Sequence, residues 1–265
     1  MVGDSIAPAG FTVNELTAIA TKFKRAQLVL LHELLPIDKR AGNEAAVLLI
    51  KQGVQQIKFD PRALLAEQGT VDYDKMEWSR RHGRAVNSLA RHNIVFGPQR
   101  VEHGDDYKHT VASWDEVPLL AQVRNALPAV FGPKARALNA EGNHYYNTKK
   151  CGIGFHGDAE RKIVVCCSLG APTTLRYYWR APAAGGSDSP HADLQLEDGD
   201  IYIMSEKASG FDFKKRSTYR LVHAAGSKKF IEITAPMEDT IDLTASAPAA
   251  APVCTQCNDD KRKKN

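Results

Sequence analysis

The sequence has no long apolar run. No stretch approaches the roughly 18 consecutive apolar residues of a membrane span, and the best candidate, residues 28–35, is interrupted by His32 and Glu33. The first residues, MVGDSIAPAGF, have neither the basic start nor the apolar stretch of a secretory signal. We therefore expect an intracellular protein with no membrane partner. We also expect a monomer.

Cysteine is scarce. There are five cysteines, an odd number, and Cys166 and Cys167 are adjacent inside an apolar run. This pattern is not that of a disulfide framework, so reduced thiols are expected. Cys254 and Cys257 have the spacing of a zinc knuckle, but no second pair is near them in the sequence, and a structural zinc needs four ligands. We interpret both as residues of the tail.

Acidic residues are nearly missing from residues 75–100, where Glu77 is the single acid. The whole chain has a formal net charge of +4, with 43% hydrophobic and 25% charged residues, a composition that excludes wholesale disorder. A local basic excess favours a nucleic-acid partner, DNA or RNA; the alternative is a solvated face that binds nothing. The basic residues are Lys75, Arg80, Arg81, Arg84, Arg91 and Arg100.

Two kinds of pattern divide the chain. Residues 13–25 have helical spacing, and residues 43–53 combine a capping residue, good helix formers and a terminal glycine, so both are predicted helices. The short run at 26–35 could be strand or helix, and another helix is predicted at 114–127. Residues 1–70 are therefore expected to form an N-terminal helical extension.

From residue 139 onward the pattern becomes one of short β-branched and aromatic runs separated by turn residues, which predicts a sandwich or barrel of strands. Helices followed by strands indicate the α+β class. Residues 239–265 are Ala- and Pro-rich and then basic, and we expect this tail to be disordered, with Lys261–Lys264 as a solvated end. The predicted strands cover residues 143–146, 163–169, 173–179, 194–196, 200–204, 220–223 and 230–233.

The most informative segment is GFHGDAERKIVVCCSLG, in which one residue separates His156 from Asp158. In an extended chain, residues i and i+2 point to the same face, so an imidazole and a carboxylate would converge. His223, in RLVHAA, supplies a third ligand, and two His with one carboxylate form the facial triad of non-haem Fe(II) oxygenases. His191 competes with His223 but falls in a Gly/Ser/Pro-rich loop, and the His-x-Asp spacing also arises by chance.

A family resemblance rests on NHYYNTKKCGIGFHGDAER, IVVCCSLG, LEDGDIYIMS and the strand that ends in His223. In order and context these segments resemble the AlkB family of Fe(II)- and 2-oxoglutarate-dependent dioxygenases. The upstream ARHNIVFG resembles that family's nucleotide-recognition segment, and residues 71–238 are interpreted as the AlkB-like domain. The first seventy residues show no such resemblance.

The resemblance implies a double-stranded β-helix (jelly-roll) core, with the N-terminal helices packed against it. It also implies Fe(II) held by His156, Asp158 and His223, with 2-oxoglutarate and O2 as co-substrates. Asn143 and Tyr145 match the family's Asn-x-Tyr pair, which helps to hold 2-oxoglutarate.

The sequence departs from the family after His223. The family carries two arginines on its last strands, which bind the carboxylates of 2-oxoglutarate, whereas this chain has no arginine between Arg220 and the tail. Lys228 or Lys229 is the expected substitute, because one of two adjacent strand residues faces the interior. Arg220 is a further candidate, and a pair of solvated turn lysines is the alternative.

The same resemblance implies a substrate. Arg91 and Phe96 in ARHNIVFG, and Glu160 and Arg161 after the His-x-Asp motif, match positions near a nucleic-acid base. The expected activity is hydroxylation of a methyl group on that base, by demethylation or with retention of the hydroxymethyl group, with succinate and CO2 as co-products. Two alternatives stay open: the same chemistry on a small molecule or protein side chain, and a non-catalytic binding module.

Overall fold

An eight-stranded sheet and a four-stranded sheet form the centre of the protein. The computed structural model describes residues 7–79, 81–102, 110–183, 186–233 and 251–258. The strands are β1 (Ala26–Leu30), β2 (Ala46–Ile50), β3 (Met76–Ser79), β4 (Arg84–Asn87), β5 (His92–Gly97), β6 (Val111–Ser113), β7 (Asn139–His144), β8 (Gly152–His156), β9 (Val164–Ala171), β10 (Thr173–Arg180), β11 (His191–Leu196), β12 (Ile201–Met204), β13 (Arg220–Gly226) and β14 (Ala251–Asn258).

The larger sheet has the strand order β1-β2-β12-β9-β14-β7-β5-β6, and the smaller sheet the order β11-β10-β13-β8. A separate hairpin joins β3 to β4. Among the described residues all pairs of neighbouring strands are antiparallel except β5 and β6. The class is therefore mixed α+β with several antiparallel sheets, an arrangement compatible with a β-sandwich.

The larger sheet is buried on both faces. In β2, Leu48 belongs to a core shared with the helices, whereas Val47 and Leu49 belong to a core shared with the smaller sheet. This alternation explains why β2, β9 and β12 are almost continuously apolar, since neither face meets water. The helices are α1 (Val13–Ala20), α2 (Gly53–Gln56), α3 (Pro61–Gln68), α4 (Pro118–Phe131) and α5 (Lys228–Ile231).

Local signals fix the main helices. Thr12 and Glu15 form a reciprocal capping box at the start of α1. The carboxylate of Glu67, in α3, accepts hydrogen bonds from the first N–H groups of α4, those of Leu119 and Leu120, at 2.6 and 2.9 Å. None of the helices in the described ranges is long and apolar enough to span a bilayer.

Several sequence-based expectations are corrected. The helix predicted at 43–53 is strand β2, because a run buried on both faces has no polar side to reveal its period. Residues 1–70 do contribute helices, but they also supply β1 and β2 to the larger sheet. The strand predicted at 230–233 is replaced by α5 and the residues that follow it.

The tail differs as well. Residues 251–258 form β14, between β9 and β7, so this part of the tail predicted to be disordered is a strand of the larger sheet. The rest of that prediction, residues 239–250 and 259–265, falls outside the described residues. Cys166 is disulfide-bonded, which corrects the expectation of reduced thiols, because an odd cysteine count does not exclude a single bond.

The burial of β2 on both faces can be tested by truncating one side chain in each of the two cores. We expect Leu48→Ala and Leu49→Ala each to lower the free energy of unfolding by about 2–5 kcal/mol, since each opens a cavity in a different core. Ile37→Ala is the control, because Ile37 is 82% exposed, and should change stability by about 0.5 kcal/mol or less. Denaturant unfolding measures all three. A cost near the control for either leucine would contradict burial on both faces.

Candidate metal centre

His156, Asp158 and His223 meet in the structure. His156 is the last residue of β8 and pairs directly with His223 on the adjacent antiparallel strand β13. The His156 Nε2 atom lies 3.6 Å from Asp158 Oδ1, and the His223 Nε2 atom lies 3.8 Å from Asp158 Oδ2. One ligand atom from each of the three residues lies within 4.8 Å of the others. The convergence expected from the sequence is present.

A close backbone approach shapes the turn between the first two ligands. A Cβ atom on Gly157 would overlap the carbonyl oxygen of Gly210 and lie 2.7 Å from Phe213 Cβ. The Asp158 N–H donates to the carbonyl of Ser209 at 2.8 Å. Gly157 is therefore required by packing, and the contact holds the Asp158 carboxylate beneath the two imidazoles.

Backbone contacts also orient the first imidazole. His156 Nδ1 lies 2.8 Å from the carbonyl oxygen of Gly154, which can only accept, so Nδ1 is the donor of this contact and Nε2 is the ring nitrogen near Asp158. This is the usual arrangement behind a metal-ligating histidine. The His223 ring lies beside Tyr177, with ring centroids 5.4 Å apart.

Burial controls the charge of Asp158 and His223, which together with His156 are called the metal group below. It holds the pKa of His223 well below the usual range, and the neighbouring His156 and Arg161 act in the same direction, so His223 is neutral, as a metal ligand must be. Burial raises the pKa of Asp158, although Arg161 and His156 oppose the rise. Of the three residues, Asp158 and His223 are almost fully buried.

The three residues fit a divalent metal ion of the Fe(II) type. Asp158 Oδ2 and both ring nitrogens of His223 are buried without a hydrogen-bond partner, and such atoms are costly unless something binds them. A set of two imidazoles and one carboxylate suits non-haem iron, and three protein ligands leave coordination positions open. His191, the competing candidate, begins β11 and is not part of the group.

A buried polar network extends from the metal group to β7 and β5. Arg161 Nη2 donates to Glu141 Oε2 at 3.0 Å, while Arg161 Nη1 lies 4.0 Å from Asp158 Oδ1. Asn93 Nδ2 donates to Glu141 Oε1 at 2.7 Å and to Asn143 Oδ1 at 3.1 Å. Burial raises the pKa of Glu141, but the charges of Arg161 and Arg91 and the Asn93 hydrogen bond more than offset it, so that pKa is lowered.

The expected 2-oxoglutarate residues of β7 lie beside this network. Asn143 is buried and accepts a hydrogen bond from Arg91 Nε at 2.6 Å. Tyr145 is buried immediately after β7, and burial raises its pKa to about 12, so its hydroxyl is protonated at neutral pH. Tyr145 also lines a cavity of about 120 Å³ with Cys151 and Gly226, and none of the three metal-group residues lines that cavity.

Other expected co-substrate residues lie elsewhere. Lys228 and Lys229 are exposed on α5, because the chain turns into a helix directly after β13 instead of entering a strand. Arg220 lies three residues before His223 on β13, hence on the opposite face, and its Nη2 donates to the carbonyl of Ala181 at 2.9 Å. Neither lysine nor Arg220 faces the metal group.

The expected substrate residues differ in where they lie relative to the metal group. Phe96 is 1% exposed in the core between the larger sheet and the helices, so the expectation of substrate contact is corrected: strand alternation turns it away from the metal. Glu160 is half exposed and pairs with Arg161 at 3.6 Å. Arg161 is nearly buried among carboxylates, where it holds the metal group together.

Sequence reasoning missed Glu141 and Asn93. Glu141 precedes Asn143 by two residues on β7, so it shares the interior face, and a strand beginning at residue 139 would have revealed it. Asn93 gave no comparable signal, because its role depends on the pairing of β5 with β7.

No protein-family model matches the chain. An uncharacterized protein of Acanthamoeba polyphaga mimivirus is 40% identical to it over 199 residues, which are 74% of this chain and 75% of the viral protein. Among solved structures, a Pseudomonas putida prolyl-4-hydroxylase shares 13% identity, with 93% of this chain and 99% of that chain covered. A bsmA homolog of Methylobium petroleophilum shares 11% identity, with 97% of each chain covered. Both structures have a TM-score of 0.31, too low to carry an argument about fold or function.

The glycine between the ligands can be tested directly. We expect Gly157→Ala to weaken Mn(II) binding by about tenfold or more, because the added methyl group must displace Gly210 or the Asp158 turn. Gly154→Ala is the matched control, since no atom lies within 4 Å of the position of its Cβ, and should bind Mn(II) like the parent. Calorimetric titration measures both affinities, and thermal melting confirms that both variants fold. Equal affinities would contradict the packing argument.

The buried pair of Glu141 and Arg161 makes a pH-dependent prediction. Glu141→Gln should lower the free energy of unfolding by about 3 kcal/mol at neutral pH, because it removes the closest charge partner of a buried guanidinium. Since the pKa of Glu141 is lowered in the folded state, this contribution is complete above about pH 4.5 and is lost as the pH falls through the folded pKa.

Glu160→Gln is the control, because Glu160 contacts the same arginine from an exposed position, and exposed pairs contribute about 0–1 kcal/mol. Denaturant unfolding at pH 7 and pH 3.5 compares the two variants with the parent. Equal losses at pH 7, or a Glu141→Gln loss that persists unchanged at the lower pH, would contradict the assignment.

Proposed function

We propose that this chain, which belongs to the family of the uncharacterized mimivirus protein, is an Fe(II)- and 2-oxoglutarate-dependent dioxygenase. The observation that carries the proposal is the meeting of His156, Asp158 and His223, with ligand atoms within 4.8 Å of one another. The unpartnered atoms of Asp158 and His223 support it, because they are left for a metal ion to satisfy.

When bound, Fe(II) with 2-oxoglutarate and O2 supplies hydroxylation of a C–H bond, with succinate and CO2 as co-products. His156 and His223 would each hold the metal through one imidazole nitrogen, and Asp158 would hold it through one carboxylate oxygen. Arg161, fixed by Glu141, favours the ionised form of Asp158 and so opposes the rise in its pKa that burial causes. The burial of His223 and Asp158 keeps water from the protein side of the centre. Asn143 and Tyr145 present an amide and a hydroxyl to the co-substrate.

We further propose that the two sheets form a double-stranded β-helix. From β7 to β14 the chain passes repeatedly between the sheets, with β7, β9, β12 and β14 in the larger and β8, β10, β11 and β13 in the smaller. The two sheets share one apolar core. Such a fold places the last residue of β8 and the middle of β13 side by side, as the pairing of His156 with His223 requires.

For the substrate we propose a methylated nucleic-acid base. The support is the hairpin of β3 and β4, which exposes Met76 and Trp78, at 44% and 46%, near the exposed Arg81 and Arg84. Exposed aromatic and basic side chains together suit single-stranded nucleic acid, because bases stack and phosphates pair. The hairpin leads into Ala90, whose carbonyl accepts from the N–H of Gly152, the first residue of β8.

The iron and 2-oxoglutarate proposal is tested by turnover without substrate. The protein is loaded anaerobically with Fe(II) and 2-oxoglutarate, O2 is admitted, and succinate is measured. We expect slow succinate formation that His156→Ala abolishes, because the metal loses a ligand. Glu44→Ala, an exposed residue of the loop before β2, is the control and should leave the rate unchanged. Absence of succinate from the parent, with Fe(II) shown to be bound, would overturn the proposal in favour of a binding module.

The nucleic-acid proposal is tested by binding and by product. Arg84→Ala should weaken binding to a methylated single strand and reduce the salt slope, about 0.7 per lost phosphate contact. Trp78→Ala should weaken binding about tenfold through lost stacking, with less effect on the slope. Arg62→Ala, an exposed arginine on α3, is the control. Mass spectrometry of the oligonucleotide after turnover identifies demethylation or hydroxymethylation; no change in the oligonucleotide, with active uncoupled turnover, would favour a small molecule or protein side chain.

A further inference from the structure

The co-substrate of the proposed function, 2-oxoglutarate, carries two carboxylates. Burying the second of them in the protein requires a buried cation beside it. If 2-oxoglutarate binds as proposed, its 2-oxo group and the adjacent carboxylate would face the three ligands, and its second carboxylate would need a partner of its own. Removing that charge from water is costly unless a cation with well-placed N–H donors meets it. The chain must therefore provide a cation on the interior face of the sandwich, away from the three ligands.

Most cations near the sheets are excluded by their partners or by their face. Arg161 already contacts Glu141, Glu160 and Asp158, at 3.0, 3.6 and 4.0 Å. Arg176 forms a two-pronged pair with Asp193, with both distances 2.6 Å. Lys228, Lys229 and Arg220 do not face the metal group, as described above.

Arg91 has no carboxylate partner among the described residues and lies on the interior face of the sheet. It precedes Asn93 by two residues, so it shares the interior face of β5 and not the core face of Ile94 and Phe96. Its side chain is partly buried, and its Nε donates to Asn143 Oδ1 at 2.6 Å. Within the described part of the chain, Arg91 forms no ion pair, and its two Nη nitrogens make no hydrogen bond.

The position of Arg91 is fixed from behind. Asn143, which receives the Arg91 Nε donor, is itself held by Asn93 Nδ2 at 3.1 Å. The Arg91 carbonyl accepts from Ser88 Oγ at 2.6 Å. Through Asn143, Asn93 and Glu141 a continuous chain of hydrogen bonds reaches Arg161 and the metal group. A pre-organised guanidinium with two free nitrogens is suited to the fork geometry of a carboxylate.

We propose that the Nη nitrogens of Arg91 bind the distal carboxylate of 2-oxoglutarate. This residue directly precedes β5, more than a hundred residues before His223, and it supplies an inward-facing cation where Lys228, Lys229 and Arg220 do not. Asn143 acts as a positioning residue that directs the guanidinium, and the protonated hydroxyl of Tyr145 lies on the same side of β7. Arg91 is thereby a determinant of co-substrate specificity and not of nucleic-acid binding.

The test separates this proposal from the proposed function. Protein loaded with Mn(II) under anaerobic conditions is titrated calorimetrically with 2-oxoglutarate and with 2-oxopentanoate, which has the same chain length and no distal carboxylate. The parent should prefer 2-oxoglutarate by about tenfold to a hundredfold, the range expected for a charge-assisted bidentate contact. Arg91→Gln should bind both acids equally weakly, with Mn(II) affinity unchanged.

Two further variants complete the experiment. Arg91→Lys keeps the charge without the fork and should keep part of the preference, which also shows that loss in Arg91→Gln is not misfolding. Arg62→Gln, an exposed arginine of α3, should keep all of it. If Arg91→Gln retains the parental preference, this assignment is wrong while the proposed function stands. If the Mn(II)-loaded parent binds neither acid, both fall.

Discussion

The Asp158 carboxylate is buried beside two imidazoles, with one oxygen near each ring, and much of the neighbouring structure depends on that placement. A carboxylate in such surroundings is unstable as an anion, and burial raises its pKa. Arg161 opposes this rise but is itself buried, so it needs Glu141. Glu141 in turn needs Asn93. The buried carboxylate of Asp158 therefore fixes side chains on β5, on β7 and in the turn after β8.

This dependence explains why the ligands were easier to predict than their support. His156 and Asp158 are two residues apart in an extended segment, and strand geometry alone turns them to one side. His223 followed from the need for a third ligand and from its place in the segment RLVHAA, and the family resemblance agreed with it. Glu141 and Asn93 meet because β7 pairs with β5, and a pairing between strands some fifty residues apart leaves no local signal in the sequence.

The wrong prediction of a helix at residues 43–53 has a clear physical origin. The alternation of polar and apolar residues reveals a strand only when one of its faces meets water, and β2 meets none. The same double burial misled the reading of Phe96, whose aromatic ring near a basic residue suggested substrate contact. The basic residues of segment 75–100 do not share one surface. Arg81 and Arg84 are exposed on the hairpin, whereas Arg91 is partly buried and turns inward.

The place of β14 has a consequence for how the chain folds during synthesis. β14 lies between β9 and β7, so each of these strands exposes an unpaired edge until residues 251–258 have left the ribosome. Closing that gap joins segments about eighty to one hundred and twenty residues apart, a pairing of high contact order and therefore slow. Until it closes, the nascent chain displays an edge that other chains could join, so the last strand of the sheet is also its protection against aggregation.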